Sequence, residues 1–150
     1  MNNLKKRLIC HRANICGADK ARENKIDAIK ECIKLGYDVE IDITFYKNKF
    51  YLGHDERQEV VDIKFLKKWK NRLWIHCKDL ASLHNMTKNK LNYFWHQNDD
   101  YTLTSKNIIW TYPNKKVTDK CVIVCQNLKE TKKYIKSNAF KICTDYVQFL

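Results

Sequence analysis

Short apolar runs punctuate the chain at residues 8–12, 37–44, 50–53, 73–77, 91–96, 107–112, 121–126 and 141–146, most of them rich in β-branched or aromatic residues. Charged or asparagine-containing turns bound them, a pattern that predicts β-strands. Between several runs the apolar period lengthens to that of a helix. Ile26, Ile29 and Ile33 share one helical face, and Gly36 stands as a left-handed stop. Asp62 is placed to cap a helix carrying Ile63, Leu66 and Trp69, and Asp79 one carrying Leu80, Leu83 and Met86. Asn127, with Glu130 three residues on, opens a further helix through Leu128, Thr131 and Ile135.

Alternating strands and helices argue for an α/β architecture with a mostly parallel sheet. Residues 50–53 follow 37–44 after the turn Lys47-Asn48-Lys49, which reads as a hairpin excursion and leaves about seven strands in the main series. The expected fold is a trimmed TIM-type (β/α) barrel: about seven main parallel strands plus that short hairpin. Such barrels typically need ~250 residues. With 150 residues available, helices around 102–105 and 114–119 must be very short or missing.

Composition narrows the class. Three glycines and one proline leave no flexible linker, and no repeat of solenoid period is present, so residues 1–150 read as one domain. The opening residues 1–7 are basic, but the apolar run 8–10 is too short for a signal peptide, and no stretch approaches the ~20 apolar residues of a membrane span. A cytoplasmic protein without a transmembrane segment is expected. The seven cysteines include no C-x-x-C pair, and several lie in strand-like runs, which suits reduced, structural thiols. A net charge of +12 invites a nucleic-acid reading, yet the lysines are scattered through every segment. A lysine-rich soluble surface that attracts an anionic substrate fits better, and no specific nucleic acid is expected.

Chemistry concentrates in the first half. In the run 37–44, Val39, Ile41 and Ile43 fall on one strand face, with Glu40 and Asp42 on the other. Two carboxylates about 7 Å apart on one face can share a hard cation. The same alternation suits a half-exposed strand with its polar side in water, and spacing alone leaves both readings open. His11 and Arg12 end the first strand-like run, where parallel α/β folds gather ligand-binding groups. His54-Asp55 follows Gly53, and His76-Cys77-Lys78 ends another run.

The combination of His11-Arg12, Glu23-Asn24, Glu40-Ile41-Asp42 and His54-Asp55 resembles the glycerophosphodiester phosphodiesterase family, within the phosphatidylinositol-phospholipase-C-like phosphodiesterases. The resemblance covers residues 8–55, continues through 73–78, and includes the ending Cys143-Thr144-Asp145-Tyr146. It implies a hydrolase of glycerophosphodiesters or related polyol phosphodiesters, small-molecule substrates of lipid metabolism. His11 and His54 would be the general acid/base pair. Arg12 and Lys78 would contact the phosphate. Glu23, Glu40 and Asp42 would bind one divalent ion, Mg²⁺ or Ca²⁺, and the attacker would be the substrate's own neighbouring hydroxyl.

The chain departs from that pattern at three positions. Ala13 stands where a glycine is usual, Lys25 where a threonine is, and His76 where a glutamate is, which softens the metal site toward transition ions. His96, Asp99 and Asp100 form a further candidate cluster at a strand end, with a polar loop as the equal alternative. Trp110 and Tyr112 suit core packing more than pocket lining. Two other readings stand: a non-catalytic module that binds a phosphorylated ligand, or, less in keeping with the scattered lysines, a basic nucleic-acid-binding protein. An open rim would expose strand edges through which a homodimer could form.

Overall fold

The computed structural model describes residues 3–150, so Met1 and Asn2 of the basic opening lie outside it. In chain order the strands are β1 (Leu8–Cys10), β2 (Asp38–Tyr46), β3 (Lys49–Leu52), β4 (Glu59–Val61), β5 (Leu73–Cys77), β6 (Tyr93–Phe94), β7 (Tyr101–Leu103), β8 (Ile109–Thr111), β9 (Cys121–Cys125) and β10 (Lys141–Thr144). The α-helices are α1 (Ile26–Lys34), α2 (Ile63–Lys68), α3 (Leu80–Thr87) and α4 (Leu128–Ile135). Local chemistry explains their ends. Asp62 accepts from the Lys64 N–H, Asp79 from Ser82 and Asn127 from Glu130, each satisfying a helix N–H that has no partner within its helix. Gly36, at φ 95°, follows α1 in the left-handed region.

All ten strands belong to one mixed sheet. Its parallel part runs β6-β5-β2-β1-β10-β9-β8. Antiparallel additions flank it: β7 pairs with β8, β3 with β2, and β4 with β3. The turn between β2 and β3 places Lys47 and Asn48 at φ 45° and 60°, the paired left-handed geometry that suits a two-residue hairpin.

The expected TIM-type barrel does not form; the sheet is mixed and open, with few and short helices. The connections explain why. A parallel crossover needs about a dozen residues or more, whereas β6 is joined to β7 by residues 95–100 and β7 to β8 by residues 104–108. Neither link can hold a helix, so the chain turns back and β7 becomes an antiparallel edge. The apolar runs 91–96 and 107–112 accordingly pair over only Tyr93–Phe94 and Ile109–Thr111. No helix of the described residues is long and apolar enough to cross a membrane.

The sheet nevertheless curls. Leu8, Cys10, Val39, Ile41, Ile43, Ile75 and Ile142 form the core under the helices, while Ile9, Trp74, Phe94, Trp110, Val122 and Cys143 fill the opposite, concave face. Phe94 of β6 stacks on Trp110 of β8 with centroids 4.3 Å apart, and Trp74 lies 6.0 Å from Trp110. What spans the gap between the sheet's ends is this aromatic column plus the loop residue Ser105, which donates its N–H to the Tyr93 carbonyl (2.8 Å) and its hydroxyl to the Leu91 carbonyl (2.9 Å) and accepts from the Tyr93 N–H (3.0 Å). All seven cysteines are free and all but Cys16 are buried, with burial pushing Cys77 and Cys125 up to about 12.

If the column holds the curl, Trp110→Ala should lower the unfolding free energy by about 3–5 kcal/mol. Urea unfolding followed by circular dichroism checks this, and a loss under about 1 kcal/mol would be too small for that role.

Candidate functional site

At the C-terminal end of the parallel strands lies a cavity of about 540 Å³, whose walls include His11, Arg12, Glu40, His54, His76 and Lys78. Its geometry starts at the end of β1, where the chain enters a tight turn with Arg12 at φ 50° and Ala13 at φ 66°. Two successive left-handed residues other than glycine cost roughly 1–2 kcal/mol each. Hydrogen bonds hold them. The Arg12 N–H donates to Glu40 Oε2 (3.0 Å), its carbonyl accepts from the Asn24 N–H (2.9 Å), and the Ala13 carbonyl accepts from Arg22 Nε (2.9 Å). Ala13, standing at the usual glycine position, therefore keeps a left-handed backbone with its methyl fully buried.

The polar face of β2 points inward. Glu40 is 2% exposed and Asp42 0%, so the ordinary strand with its polar side in water is excluded. Asn24 clamps Asp42 twice: its Nδ2 donates to Oδ2 (3.0 Å) and its Oδ1 accepts from the Asp42 N–H (2.9 Å). Arg12 Nε approaches the same Oδ2 at 3.3 Å, and Arg12 Nη1 lies 3.6 Å from Glu23 Oε2. Glu23 also accepts from Asn14 Nδ2 (3.2 Å). It thus serves Arg12 and Asn14 and stands outside the group formed by the other two carboxylates.

His76 joins that group. Strand register sets it directly opposite Asp42, with Nδ1 3.1 Å from Asp42 Oδ1 and 3.8 Å from Glu40 Oε1. Its other nitrogen, Nε2, donates to the His96 carbonyl (2.8 Å), which can only accept. Nδ1 therefore either carries a second proton or offers a lone pair toward two carboxylates. Asp42 Oδ1 is buried and makes no aligned hydrogen bond among the described residues. One ligand atom from each of Glu40, Asp42 and His76 lies within 4.8 Å of the others. An orphaned oxygen, a second carboxylate and an imidazole whose far nitrogen is fixed by a carbonyl fit a divalent ion, and the mixed N/O donor set suits Mn²⁺ or Zn²⁺ as well as harder ions.

The two carboxylates titrate apart. Burial raises Glu40, reinforced by the charge of Asp42. Burial would raise Asp42 too, but His76 and Arg12 outweigh it and hold Asp42 well below the usual carboxylate range.

The histidines also diverge. For His11, burial favours the neutral ring, yet the bond from Nδ1 to Asp145 Oδ1 (3.0 Å) and the charges of Glu40 and Asp145 prevail and raise it above 6.5. Asp145 is itself steadied by Asn14 Nδ2 (2.8 Å). His54 is lowered below 6.5 by burial first, then by Arg12 and Lys78, against the opposing pull of Asp42 and Asp55. Lys78 Nζ lies 3.2 Å from His54 Nε2; because an ammonium has only donors, Nε2 accepts and Nδ1 carries the proton given to Asp55 Oδ1 (2.6 Å).

The second candidate cluster divides. His96 lines the cavity, held by a contact from Nε2 to the Asp99 carbonyl (2.6 Å). The Asp99 side chain is exposed, and Asp100 pairs with Lys115 Nζ at the surface (2.8 Å). Trp110 and Tyr112 line the wall next to His96, and Trp110 is also part of the concave core. Asp145 is the partner that the sequence left without a role: its signals were its place at the end of the last strand and the Thr144-Asp145 ending shared with the family resembled, while 134 residues separate it from His11.

Asp145→Asn should bring the His11 titration, followed by NMR, down toward or below 6.5 and leave His54 in place. A protonated His11 stabilises the fold fully below its unfolded pKa of about 6.5, and this contribution is lost as pH rises through the raised native value. Moving from about pH 6 to about pH 8 should therefore destabilise the wild type more than Asp145→Asn. Identical His11 titrations in the two proteins would refute the pairing. No protein-family model matches this chain, and no curated protein or solved structure matches it either.

Proposed function

We propose that the protein is a metal-dependent phosphodiesterase acting on a glycerophosphodiester or related polyol phosphodiester. The observation that carries this reading is one cavity walled by both histidines, Arg12 and Lys78, with the Glu40–Asp42–His76 group at its side. The motif order that resembles the glycerophosphodiester phosphodiesterases supports the substrate class. Oppositely shifted histidines support the chemistry, since an acid and a base must differ in charge at one pH.

In the mechanism proposed, His54 is the base: Lys78 turns from His54 Nε2 to the phosphate, and the nitrogen so freed accepts the proton of the substrate hydroxyl next to the phosphate. That oxygen bonds to phosphorus as the bond to the leaving alcohol breaks, and protonated His11 gives its proton to the departing alkoxide. Opening of the resulting cyclic phosphate reverses the roles: His11, now neutral, takes a proton from water, and His54 returns its own to the ring oxygen. Asp145 keeps His11 oriented and favours its charged state. Arg12 and Lys78 offset charge on the phosphoryl oxygens. A divalent ion on Glu40, Asp42 and His76 would supply Lewis-acid withdrawal of charge from the phosphate.

Purified protein should hydrolyse glycerophosphodiesters in the presence of at least one of Mg²⁺, Ca²⁺, Mn²⁺ and Zn²⁺. His11→Ala and His54→Ala should each lower turnover by about 10²–10⁴-fold, and Glu40→Ala should abolish the metal dependence. His76→Glu should shift activity toward Mg²⁺ or Ca²⁺, which prefer oxygen ligands. Binding of glycerol phosphates with no hydrolysis under any of these ions would instead mark a binding module.

A further inference from the structure

A second cavity, of about 550 Å³, opens at the opposite end of the parallel strands, where β2, β5, β6, β8 and β10 begin. Its lining is cationic: Lys6, Lys70, Arg72, Lys106 and Lys141, against Asp38 as the one carboxylate. Asp38 is already committed. It lies 3.0 Å from Arg72 Nε and 2.8 Å from Lys141 Nζ, and it faces the Trp74 indole N–H at 3.3 Å. Lys6, Lys70 and Lys106 are exposed and form no ion pair with any described residue. The mouth thus holds three uncompensated positive charges around a hollow of small-molecule size.

The hollow has a second, uncharged demand. Asn92, at the foot of β6, is 9% exposed, and its side-chain oxygen is buried with no hydrogen-bond partner among the described residues. Such an acceptor is costly to leave unpaired, and a small turn of the side chain toward the hollow would let it accept an incoming N–H or O–H. A ligand meeting both demands carries an anion for the lysines and a donor for the amide. The recess of Asn92 favours a compact molecule over a duplex, whose phosphates run along a surface.

We propose that this cavity is a second ligand site, taking a small phosphomonoester that also bears hydroxyl or amino donors, a sugar phosphate in chemical class. It shares no residue with the cavity of His11 and His54, so it stands or falls independently of the phosphodiesterase reading.

Titration of ¹⁵N-labelled full-length protein with ribose 5-phosphate tests it. The Trp74 indole and Asn92 side-chain amide resonances should move together and saturate. Inorganic phosphate should bind more weakly, and neutral ribose should leave both signals unmoved. The double variant Lys70→Glu, Lys106→Glu changes exposed side chains only and should bind at least about tenfold more weakly, with an unchanged urea midpoint. Absence of saturable shifts at Trp74 and Asn92, or undiminished affinity in the double variant, would overturn the proposal. So would shifts confined to His11 and His54, or a short DNA duplex that binds more tightly and leaves Asn92 unmoved.

Discussion

Burial of Glu40 and Asp42 on the inner face of β2 is the constraint from which the rest of the site follows. An ion removed from water costs several kcal/mol unless charge and hydrogen bonds replace its hydration. The replacements come from separate parts of the chain: the Arg12 N–H to Glu40, the Arg12 guanidinium and Asn24 side chain to Asp42, and the His76 imidazole between them. The same demand accounts for the left-handed pair Arg12–Ala13, because that turn aims the Arg12 N–H at Glu40 while its carbonyl receives Asn24. Local backbone strain and burial of charge are thus two sides of one arrangement.

From this acidic centre the differing environments of the histidines arise. His11 lies between Glu40 and Asp145, so negative charge gathers on its side, while His54 meets Arg12 and Lys78. The far end of the sheet carries the reverse balance, with one carboxylate amid five cations. A chain of net charge +12 has therefore gathered four of the five buried acids of its described residues, Glu23, Glu40, Asp42 and Asp145, at one end of the strands and left Asp38 among cations at the other.

Much of this was legible in the residues. Alternation in β2 assigned Val39, Ile41 and Ile43 to one face and Glu40 and Asp42 to the other, and Asp62, Asp79 and Asn127 marked helix starts. Period alone could not say which face of β2 would be covered, because that depends on the curl brought about by distant strands. The barrel expectation failed for a related reason: apolar runs look alike whether a helix or a five-residue loop joins them, and the loops around β7 dictate an antiparallel edge. The Asp42–His76 pairing is a matter of register between β2 and β5, and the His11–Asp145 pairing of closing β1 against β10. Neither leaves a local trace.

The open seam between β6 and β8 has a dynamic meaning. Backbone ladders resist separation with many aligned bonds, whereas a seam held by stacked rings and the three hydrogen bonds of the single residue Ser105 can part while every ladder stays intact. His76 stacks on Phe94, with ring centroids 5.0 Å apart, and is anchored to the His96 carbonyl just beyond β6, so its ring sits at the very border of that seam. Amide exchange in β6 would then proceed by local opening rather than global unfolding, and each such excursion would loosen the imidazole beside Asp42.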